Sequence, residues 1–472
     1  MNTQSEQTHM IHIPRLAVAA VQGRSGKTTF TIGLQRALRE RGLLLQGFKK
    51  GPDYIDPSWS TFASGIPCRN LDAVMMTKEQ ILHSFCTHAA NKDIAIVEGA
   101  MGIFDGLNWE GSNSTAELAR TLQAPVVLVV NTTRITRSVA AIINGVVNFD
   151  KRIQFAGVVL NKVARPRHLN IMQKSIEEYC DVPLLGALPK ANDVEIPDRH
   201  LGLIPASEQD ALQARIDGLA KLVQDNVDID RLLELAKAAP PLVDPLPQQQ
   251  KEIIEERVRI GVFRDRAFSF YYPENLEALE NEGAELVPLD AMTDTLPELD
   301  GLYIGGGFPE VFAKELEANR AMREAVKAAS ENDMPIYAEC GGLMYLAKEL
   351  ISENNHYQMA GVFDCSVAME KRPVGLGYAF QKATAANPYF AENAHVVGHE
   401  FHHSRVHFPE NAQIQYGFIT ERGKGIAKEG DVLCEGMVSR KTLATYHHFH
   451  AASSGEWAER FVQLCRSFHK NK

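Results

Sequence analysis

Apolar residues in the first half of the chain alternate between short continuous runs and stretches with helical spacing. The runs RLAVAAV, LLLQGFK, DIAIVEG, PVVLVVN and FAGVVLNKV predict buried strands. Between them, TTFTIGLQRALRERG, STAELARTLQ and RSVAAIINGVVNF have helical spacing, and Gly42 predicts a helix C-terminus. Strands that alternate with helices in this way predict an α/β fold, with a parallel sheet covered by helices on both faces.

The pattern changes near Ala206, where QDALQARIDGLAKLVQ and DIDRLLELAKAA predict two helices. PPLVDPLPQQQ, at 240–250, has the composition of a linker. A second α/β region then begins with RVRIGVF, ELVPLD, GLYIGGGFP and MPIYAEC. We therefore predict a flexible N-terminus at 1–12, a first α/β domain at 13–205, a helical and linker segment at 206–256, and a second α/β domain at 257–472.

Length, net charge and cysteine content exclude several classes of protein. The length of 472 residues allows two or three domains, and the net charge of −10 argues against a nucleic-acid binder. The seven cysteines form no CxxC motif, which is typical of free thiols in a reducing cytoplasm. The polar start of the chain predicts no signal peptide, and the longest apolar run, APVVLVV, is too short to cross a membrane. We expect a cytoplasmic protein without a membrane or nucleic-acid partner.

The segment VQGRSGKTT follows a predicted strand and opens a predicted helix, which is the setting of a phosphate-binding loop. Backbone N–H groups and Lys27 would face phosphate, and Thr28 would reach Mg²⁺. The strict GxxxxGK[ST] pattern fails because Val21 holds its first position, so a plain strand–turn–helix junction is the alternative. The predicted ATP and phosphate contacts are Gly23, Ser25, Gly26, Lys27, Thr28, Thr29 and Lys49.

Two more acidic loops follow predicted strands, at the sheet edge where ligands gather in open α/β folds. They are FKKGPDYIDP and VEGAMGIFDG. Magnesium prefers oxygen ligands and uses one or two carboxylates beside phosphates. We predict Thr28, Asp53 and Glu98 as metal ligands, with surface turn acids as the alternative.

Cys340 stands in IYAECGGLMYL, where an apolar run meets two glycines and GGLMYLAKEL predicts a helix. A catalytic thiol needs a base, and the histidines of the second half supply candidates. Gly307 and Gly341 could offer backbone N–H groups to an oxyanion. The alternatives are a small buried core residue and a zinc site, although no zinc motif spacing occurs. The candidate histidines are His399, His402, His403, His407, His447, His448 and His450.

Several motifs occur in one order over nearly the whole chain. They are SGKTT, FKKGPDYIDP, NLD, VEGAMGIFDG, IPDRHLGL, FSFYYPENLE, GLYIGGGFPE, YAECGGLMYL and GHEFHHS. The chain closely resembles the cobyrinic acid a,c-diamide synthase family, glutamine-dependent enzymes that amidate tetrapyrrole carboxylates. The resemblance implies a P-loop NTPase-like amidoligase domain, similar to dethiobiotin synthetase, followed by a class I glutamine amidotransferase-like domain.

The resemblance also implies a reaction. ATP phosphorylates the a and c acetates of an anionic tetrapyrrole, and glutamine is hydrolysed at Cys340 through a thioester. The ammonia passes internally to the acyl phosphate, with Mg²⁺ as cofactor. His448 of TYHH matches the family base, with His447 and His450 as rivals. The usual H-x-E reads His448-Phe449-His450 here, without its carboxylate.

In the synthetase half, the resemblance assigns four residues to the substrate and acyl-phosphate region and Glu98 to Mg²⁺. The four residues are Asp53, Tyr54, Asp56 and Asp105.

Three departures from the family leave the tetrapyrrole open: Asn131 where Asp is common, an added Lys50, and the basic segment TTRITR. Sirohydrochlorin and sirohaem are alternative substrates with the same chemistry. A ParA-like partitioning ATPase, cobyric acid synthase and a non-catalytic tetrapyrrole-binding module are more remote alternatives. A homodimer is compatible with the resemblance.

Overall fold

The structure is a computed structural model, and it describes residues 10–190, 198–199, 202–203, 212–246 and 256–472. Most of the predicted N-terminal tail, part of IPDRHLGL and part of the predicted linker lie outside the described residues. The chain divides into two compact units, Met1–Gln248 and Gln249–Lys472. The division lies inside the predicted segment 206–256.

The first unit is an alternation of strands and helices, as its apolar pattern predicts. Its elements are β1 Met10–Ile11, β2 Arg15–Ala20, α1 Lys27–Glu40, β3 Leu45–Lys50, α2 Ile55–Ser64, β4 Arg69–Leu71, α3 Lys78–Ala89, β5 Ile94–Glu98, α4 Thr115–Thr121, β6 Val126–Asn131, α5 Ser138–Phe149, β7 Phe155–Val163, α6 Pro166–Tyr179, β8 Leu184–Pro189, β9 Asp198–Arg199, β10 Gly202–Leu203, α7 Leu212–Asn226, α8 Ile229–Lys237 and β11 Leu242–Val243.

Seven strands of this unit form one sheet in the order β4-β3-β5-β2-β6-β7-β8, and every neighbouring pair is parallel. The predicted parallel sheet is therefore confirmed. Strands buried on both faces need continuous apolar sequence, which explains why VVLVV of β6 is wholly buried. Because β3, β5 and β2 are neighbours, the loops that follow them meet at one edge.

The helices α7 and α8 belong to the first unit. Ala220 and Val223 of α7 and Leu232 of α8 share a core cluster with α1 and the central strands. Gly33 of α1 allows close packing, because a Cβ there would lie 2.5 Å from the Leu219 carbonyl oxygen. Apolar residues at helical spacing thus bury a face against α1, so this part of the predicted helical and linker segment is packed structure.

The second unit contains one long mixed sheet, of which one part is parallel and the other antiparallel. Its elements are β12 Val258–Phe263, β13 Phe268–Phe270, α9 Pro273–Asn281, β14 Ala284–Leu289, β15 Gly301–Ile304, β16 Gly306–Gly307, α10 Ala313–Ala318, α11 Arg320–Glu331, β17 Ile336–Glu339, α12 Gly341–Leu346, β18 Ala347–Ser352, β19 Asn355–Gln358, β20 Phe363–Met369, β21 Gly375–Ala383, β22 His395–His402, β23 Ser404–His407, β24 Gln415–Arg422, β25 Ala427–Glu429, β26 Val432–Ser439, β27 Thr442–Thr445, β28 His448–Phe449 and α13 Glu456–Lys470.

The large sheet runs β14-β12-β15-β17-β27-β26-β24-β21-β22-β28, with β25 paired to β26. Its first five strands are parallel, and the pairs beyond β27 are antiparallel. A smaller sheet has the order β19-β18-β20-β23.

The predicted helix after Cys340 is wrong in its second half. Helix α12 ends at Leu346, and the following AKEL is the start of strand β18. Strand β18 pairs with β19 on one side and β20 on the other, and Leu350 is fully buried between them. Pairing with two strands that come later in the chain overrides the local helical pattern.

Within the described ranges, we find no helix long and apolar enough to cross a membrane.

Candidate active site

The loop between β2 and α1 has the shape that a phosphate grip requires. Gly26 ends the loop at φ +93°, a left-handed conformation that favours glycine, and a Cβ there would lie 1.9 Å from Asn161 Nδ2. The same Asn161 amide donates to the Ser25 carbonyl at 2.9 Å and ties the loop to the end of β7. Thr28 and Thr29 lie in the first turn of α1, and Gly23 lies at the middle of the loop.

Lys27 is held at this loop with only 7% exposure. Its Nζ donates to the Met101 carbonyl at 2.6 Å, in the loop that follows β5. Burial and then the nearby Lys49 ammonium lower the pKa of Lys27, while the carboxylates of Glu98, Asp56 and Asp105 act in the opposite direction. A phosphate bound in the loop would bring a negative charge close to Lys27 and favour the charged form of its side chain.

Lys49 at the end of β3 is buried among three carboxylates. Its Nζ contacts Asp56, lies 3.1 Å from Glu98 Oε1 and 3.7 Å from Asp53 Oδ2. Burial lowers the pKa of Lys49, but Asp56 and Glu98 outweigh that effect and hold the pKa well above its usual value. The register of β3 on β5, which pairs Lys49 with Glu98, creates this cluster.

Thr28 joins the carboxylates to the phosphate loop. Its Oγ1 donates to Glu98 Oε1 at 2.6 Å and lies 3.3 Å from Asp56 Oδ2. Asp53 instead uses Oδ1 to accept from the backbone N–H groups of Ile55 and Asp56 at the start of α2. Burial and the neighbouring Asp56 carboxylate raise the pKa of Asp53 to about 7. The structure thus places Thr28, Glu98 and Asp56 in direct contact and Asp53 one step away.

These oxygen donors fit a magnesium ion that arrives with a nucleotide. Hydroxyl and carboxylate oxygens suit Mg²⁺, which takes one or two protein carboxylates and fills its remaining positions with phosphate and water. Across the described ranges, no group of three or more His, Cys, Asp or Glu side chains is arranged to hold a metal by itself. Thr28, Glu98 and Asp56 are the residues that would hold the ion, with Asp53 beside them.

The other predicted residues of this half lie around the cluster. Asp105 Oδ2 accepts from the Gly102 N–H at 2.9 Å and shapes the loop that carries the partner of Lys27. Tyr54 is the residue before α2. Of the departures from the family, Asn131 accepts from Thr133 N–H in a local turn, and Arg137 donates to the Tyr179 hydroxyl at 2.8 Å.

In the second unit, Cys340 lies on a sharp elbow between β17 and α12. Its φ of +49° and ψ of −99° are a strained combination for a residue with a side chain. The elbow is held by Cys340 N–H donating to the Thr445 carbonyl at 2.7 Å, and by Met344 N–H donating to the Cys340 carbonyl at 3.2 Å. Cys340 is 5% exposed, and strain of this kind concentrates at functional positions.

His448 is the histidine that faces Cys340. Burial lowers its pKa, but Cys340 and Glu339 outweigh burial and raise the pKa of His448 to about 10. Burial lowers the pKa of the rival His447 to about 3, with His448 adding to the effect. His450 instead lies 3.4 Å from Glu274 and accepts from Ala452 N–H. The geometry therefore separates three histidines that are nearly adjacent in sequence.

Glu339, the residue directly before Cys340, was not among the residues predicted from the sequence. Its Oε2 lies 3.1 Å from His448 Nδ1, and its side chain is 1% exposed. Burial raises the pKa of Glu339, and His448 partly counteracts that rise. A glutamate at the buried end of an apolar strand was the available signal, because unpaired carboxylates are rarely buried.

The predicted oxyanion glycines come together beside the elbow. A Cβ on Gly341 would lie 3.1 Å from the Gly307 nitrogen, so the two backbones are in contact. A Cβ on Gly307 would lie 2.0 Å from the Ala267 carbonyl oxygen, which leaves room for glycine and no larger residue.

Both units match known protein families. Residues 16–204 match the CobQ/CobB/MinD/ParA nucleotide binding domain, and residues 259–456 match the CobB/CobQ-like glutamine amidotransferase domain.

Full-length relatives agree with this domain order. A cobyrinate a,c-diamide synthase of Magnetococcus marinus is 42% identical over 96% of this chain and 97% of its own. Relatives with the same name are 41% identical in Dehalococcoides mccartyi, over 97% of this chain and 99% of theirs, and 40% identical in Archaeoglobus fulgidus, over 96% and 97%. With a nucleotide-binding domain and a glutamine amidotransferase domain in one chain, the protein is a glutamine-dependent amidoligase and belongs to the cobyrinate a,c-diamide synthase family.

Proposed function

We propose that this protein converts the a and c acetate carboxylates of cobyrinic acid to amides, using ATP and glutamine. The proposal is supported mainly by the three relatives of that name, which are similar to this chain over 96% or more of its length. The two clusters of side chains described above suit the two half-reactions. We assign the first unit to carboxylate activation and the second unit to ammonia production.

In the first unit, a substrate carboxylate oxygen attacks the γ-phosphorus of ATP, and ADP leaves with the electron pair of the broken bond. The product is an acyl phosphate, which has a far better leaving group than a carboxylate. Lys27 and the loop N–H groups bind the nucleotide phosphates, and Lys49 offsets negative charge next to the substrate. Thr28, Glu98 and Asp56 would hold a magnesium ion, which would supply further charge stabilisation to the phosphates.

In the second unit, the Cys340 thiol passes its proton to His448 and the thiolate attacks the glutamine side-chain carbonyl. Backbone N–H groups at Gly307 and Gly341 stabilise the oxyanion. Collapse of the intermediate releases ammonia with the proton from His448, and water then hydrolyses the glutamyl thioester to glutamate. The ammonia attacks the acyl phosphate, and inorganic phosphate leaves as the amide forms.

Mass spectrometry of reaction products tests the substrate. Purified protein with ATP, Mg²⁺ and glutamine is offered cobyrinic acid, sirohydrochlorin or sirohaem in separate reactions. We expect cobyrinic acid to gain two amides, through a singly amidated intermediate, with two ADP formed. Amidation of sirohydrochlorin or sirohaem in preference to cobyrinic acid would contradict the proposed substrate and leave the two-site chemistry in place.

A further inference from the structure

We propose that Glu339 is the positioning residue of the thiol site, and that its carboxylate orients His448 in place of the carboxylate of the H-x-E motif that this chain lacks. The inference rests on the proposed glutamine hydrolysis at Cys340. It assigns the nucleophile and the orienting carboxylate to two consecutive residues.

The backbone explains how two consecutive residues reach one imidazole. Successive side chains of a strand point to opposite faces, so Glu339 and Cys340 would diverge if β17 continued. The chain leaves the strand at Cys340 with φ +49° and ψ −99°, which turns the thiol away from the strand direction. Glu339 pairs with Thr445 at the end of β27, three residues before His448. The elbow and this register bring both side chains to the same ring.

The surroundings of Glu339 hold the carboxylate in place. Tyr337 lies two residues earlier on the same face of β17, and Tyr303 is its partner on β15. Both hydroxyl groups interact with the Glu339 carboxylate and help to lower its pKa against the effect of burial. The Tyr303 hydroxyl also meets Asn275 Nδ2 at 3.5 Å. The carboxylate thus places Oε2 against the His448 ring, while Oε1 has no hydrogen-bond partner within the described residues.

The contact at Nδ1 determines which ring nitrogen of His448 can accept a proton from Cys340. With Nδ1–H donated to Glu339 at 3.1 Å, the remaining nitrogen, Nε2, is the acceptor for the Cys340 thiol proton. The carboxylate then stabilises the imidazolium that forms. Three further histidines lie around His448 and are neutral because burial lowers the pKa of each: His399, whose ring stacks on it at 5.1 Å, His402 and His447.

A second histidine–carboxylate pair in the same unit, with a buried histidine and a partly buried glutamate, supplies a matched control. His450 Nε2 lies 3.4 Å from Glu274 Oε2, on α9. His450 also accepts from the Ala452 N–H and begins the 3₁₀ turn Ala451–Ser453, which is a structural role. Glu274→Gln therefore removes one carboxylate charge beside a buried histidine outside the thiol site.

The test compares glutaminase kinetics of Glu339→Gln, Glu339→Asp and Glu274→Gln, with the thermal unfolding midpoint of each variant as a measure of intact fold. We expect Glu339→Gln to lower glutaminase kcat by about 10²-fold or more, with KM for glutamine within about twofold. The alkaline limb of its kcat–pH profile should move to lower pH, because the imidazolium loses its carboxylate partner. Glu339→Asp should restore part of both, and Glu274→Gln should match the parent protein.

Three results would overturn the inference. One is a Glu339→Gln variant with parental kcat and pH profile. Another is an effect confined to KM, which would make Glu339 a glutamine contact. The third is a thermal unfolding midpoint of Glu339→Gln low enough to unfold the second unit under the assay conditions, which would make it a folding residue. Cys340→Ala tests the proposed glutamine hydrolysis by itself. Parental glutaminase activity in that variant would contradict hydrolysis at Cys340, whatever the result for Glu339→Gln.

Discussion

Individual residues at both sites combine burial with charge in ways that cost stability. Lys49 is buried among Asp53, Asp56 and Glu98, and Glu339 is buried against His448. A buried charge is tolerated when an opposite charge lies beside it. Removing one partner leaves the other charge buried and uncompensated, which destabilises the fold. The same arrangement makes single substitutions informative, because each removes one named contact.

Cys340→Ala should abolish glutamine-dependent amidation and leave ammonia-dependent amidation near the parental rate. The thiol is needed only to release ammonia from glutamine, and free ammonia bypasses that step. Product formation is measured with glutamine and with ammonium chloride. Cys180→Ala, a partly buried thiol of the first unit, is the control and should retain both activities. Equal loss with both nitrogen donors would contradict the two-site mechanism.

Thr28→Val should lower the rate of ATP-dependent amidation about 10–100-fold and leave glutaminase activity unchanged. The valine keeps the shape but removes the hydroxyl that contacts Glu98 at 2.6 Å and would reach the metal. Rates are measured over a range of Mg²⁺ concentrations, where a weaker site needs more metal.

Thr31→Val is the matched control for this change. Thr31 lies one turn later in α1, and its buried hydroxyl has no hydrogen-bond partner in the part of the chain that the structure describes. Removing it should leave amidation unchanged. Parental Mg²⁺ dependence in Thr28→Val would refute a ligand role for that hydroxyl.

Among the secondary-structure elements, the segment from β26 to β28 determines the thiol site. Strand β27 lies between β17 and β26, and its end supplies the carbonyl that holds Cys340. Glu435 on β26 supports that end, since its Oε1 accepts from Thr445 Oγ1 at 2.9 Å and from Tyr446 N–H at 2.8 Å. The elbow on β17 and the histidine on β28 are therefore positioned by strands distant in sequence.

Glu435→Gln should remove a pH-dependent contribution to the stability of the second unit. Burial, with Glu400 nearby, raises the pKa of Glu435 to about 8, above its usual value near 4.5. A raised folded-state pKa gives stability that is fully present below the unfolded-state pKa and is lost as the pH rises through about 8. Between pH 4.5 and about pH 8, the free energy of unfolding of the parent should fall by about 1.4 kcal/mol per pH unit relative to that of the variant.

Thermal unfolding at pH 5, 7 and 9 measures this difference. Glutamine keeps a side-chain oxygen that can accept from Thr445 and Tyr446, so the variant retains these contacts. Because glutamine does not ionise, the free energy of unfolding of the variant should rise relative to that of the parent as the pH rises. Glu429→Gln changes an exposed carboxylate on β25, the neighbour of β26, and should differ from the parent by a constant amount. A constant difference for Glu435→Gln as well would show that this carboxyl is charged throughout.

For the molecule as a whole, the proposed function assigns a separate half-reaction to each unit, and one substitution should uncouple them. Lys27→Ala removes the ammonium at the phosphate loop and should abolish ATP-dependent amidation with either nitrogen donor. Glutaminase activity should persist, because the thiol site lies wholly in the second unit. ADP, glutamate and amide are measured in the same reaction.

Lys174→Ala, at an exposed position on α6, makes the same change in charge and should retain all three products at parental ratios. Parental amidation by Lys27→Ala would mean that the loop after β2 does not bind the transferred phosphate.

Sequence alone was enough for the fold class of both units and for nine of their strands, and it predicted where the two candidate sites lie. Buried parallel strands require continuous apolar runs, and glycines beside Lys27 or Cys340 at strand ends are typical of ligand-binding edges. Tertiary structure decided the rest. It ended α12 at Leu346 because β18 pairs with two other strands, selected His448 from three neighbouring histidines, and placed Glu339 against its ring. The contact between Glu339 and His448 joins residues about a hundred positions apart, and strand register, which local sequence does not encode, brings them together.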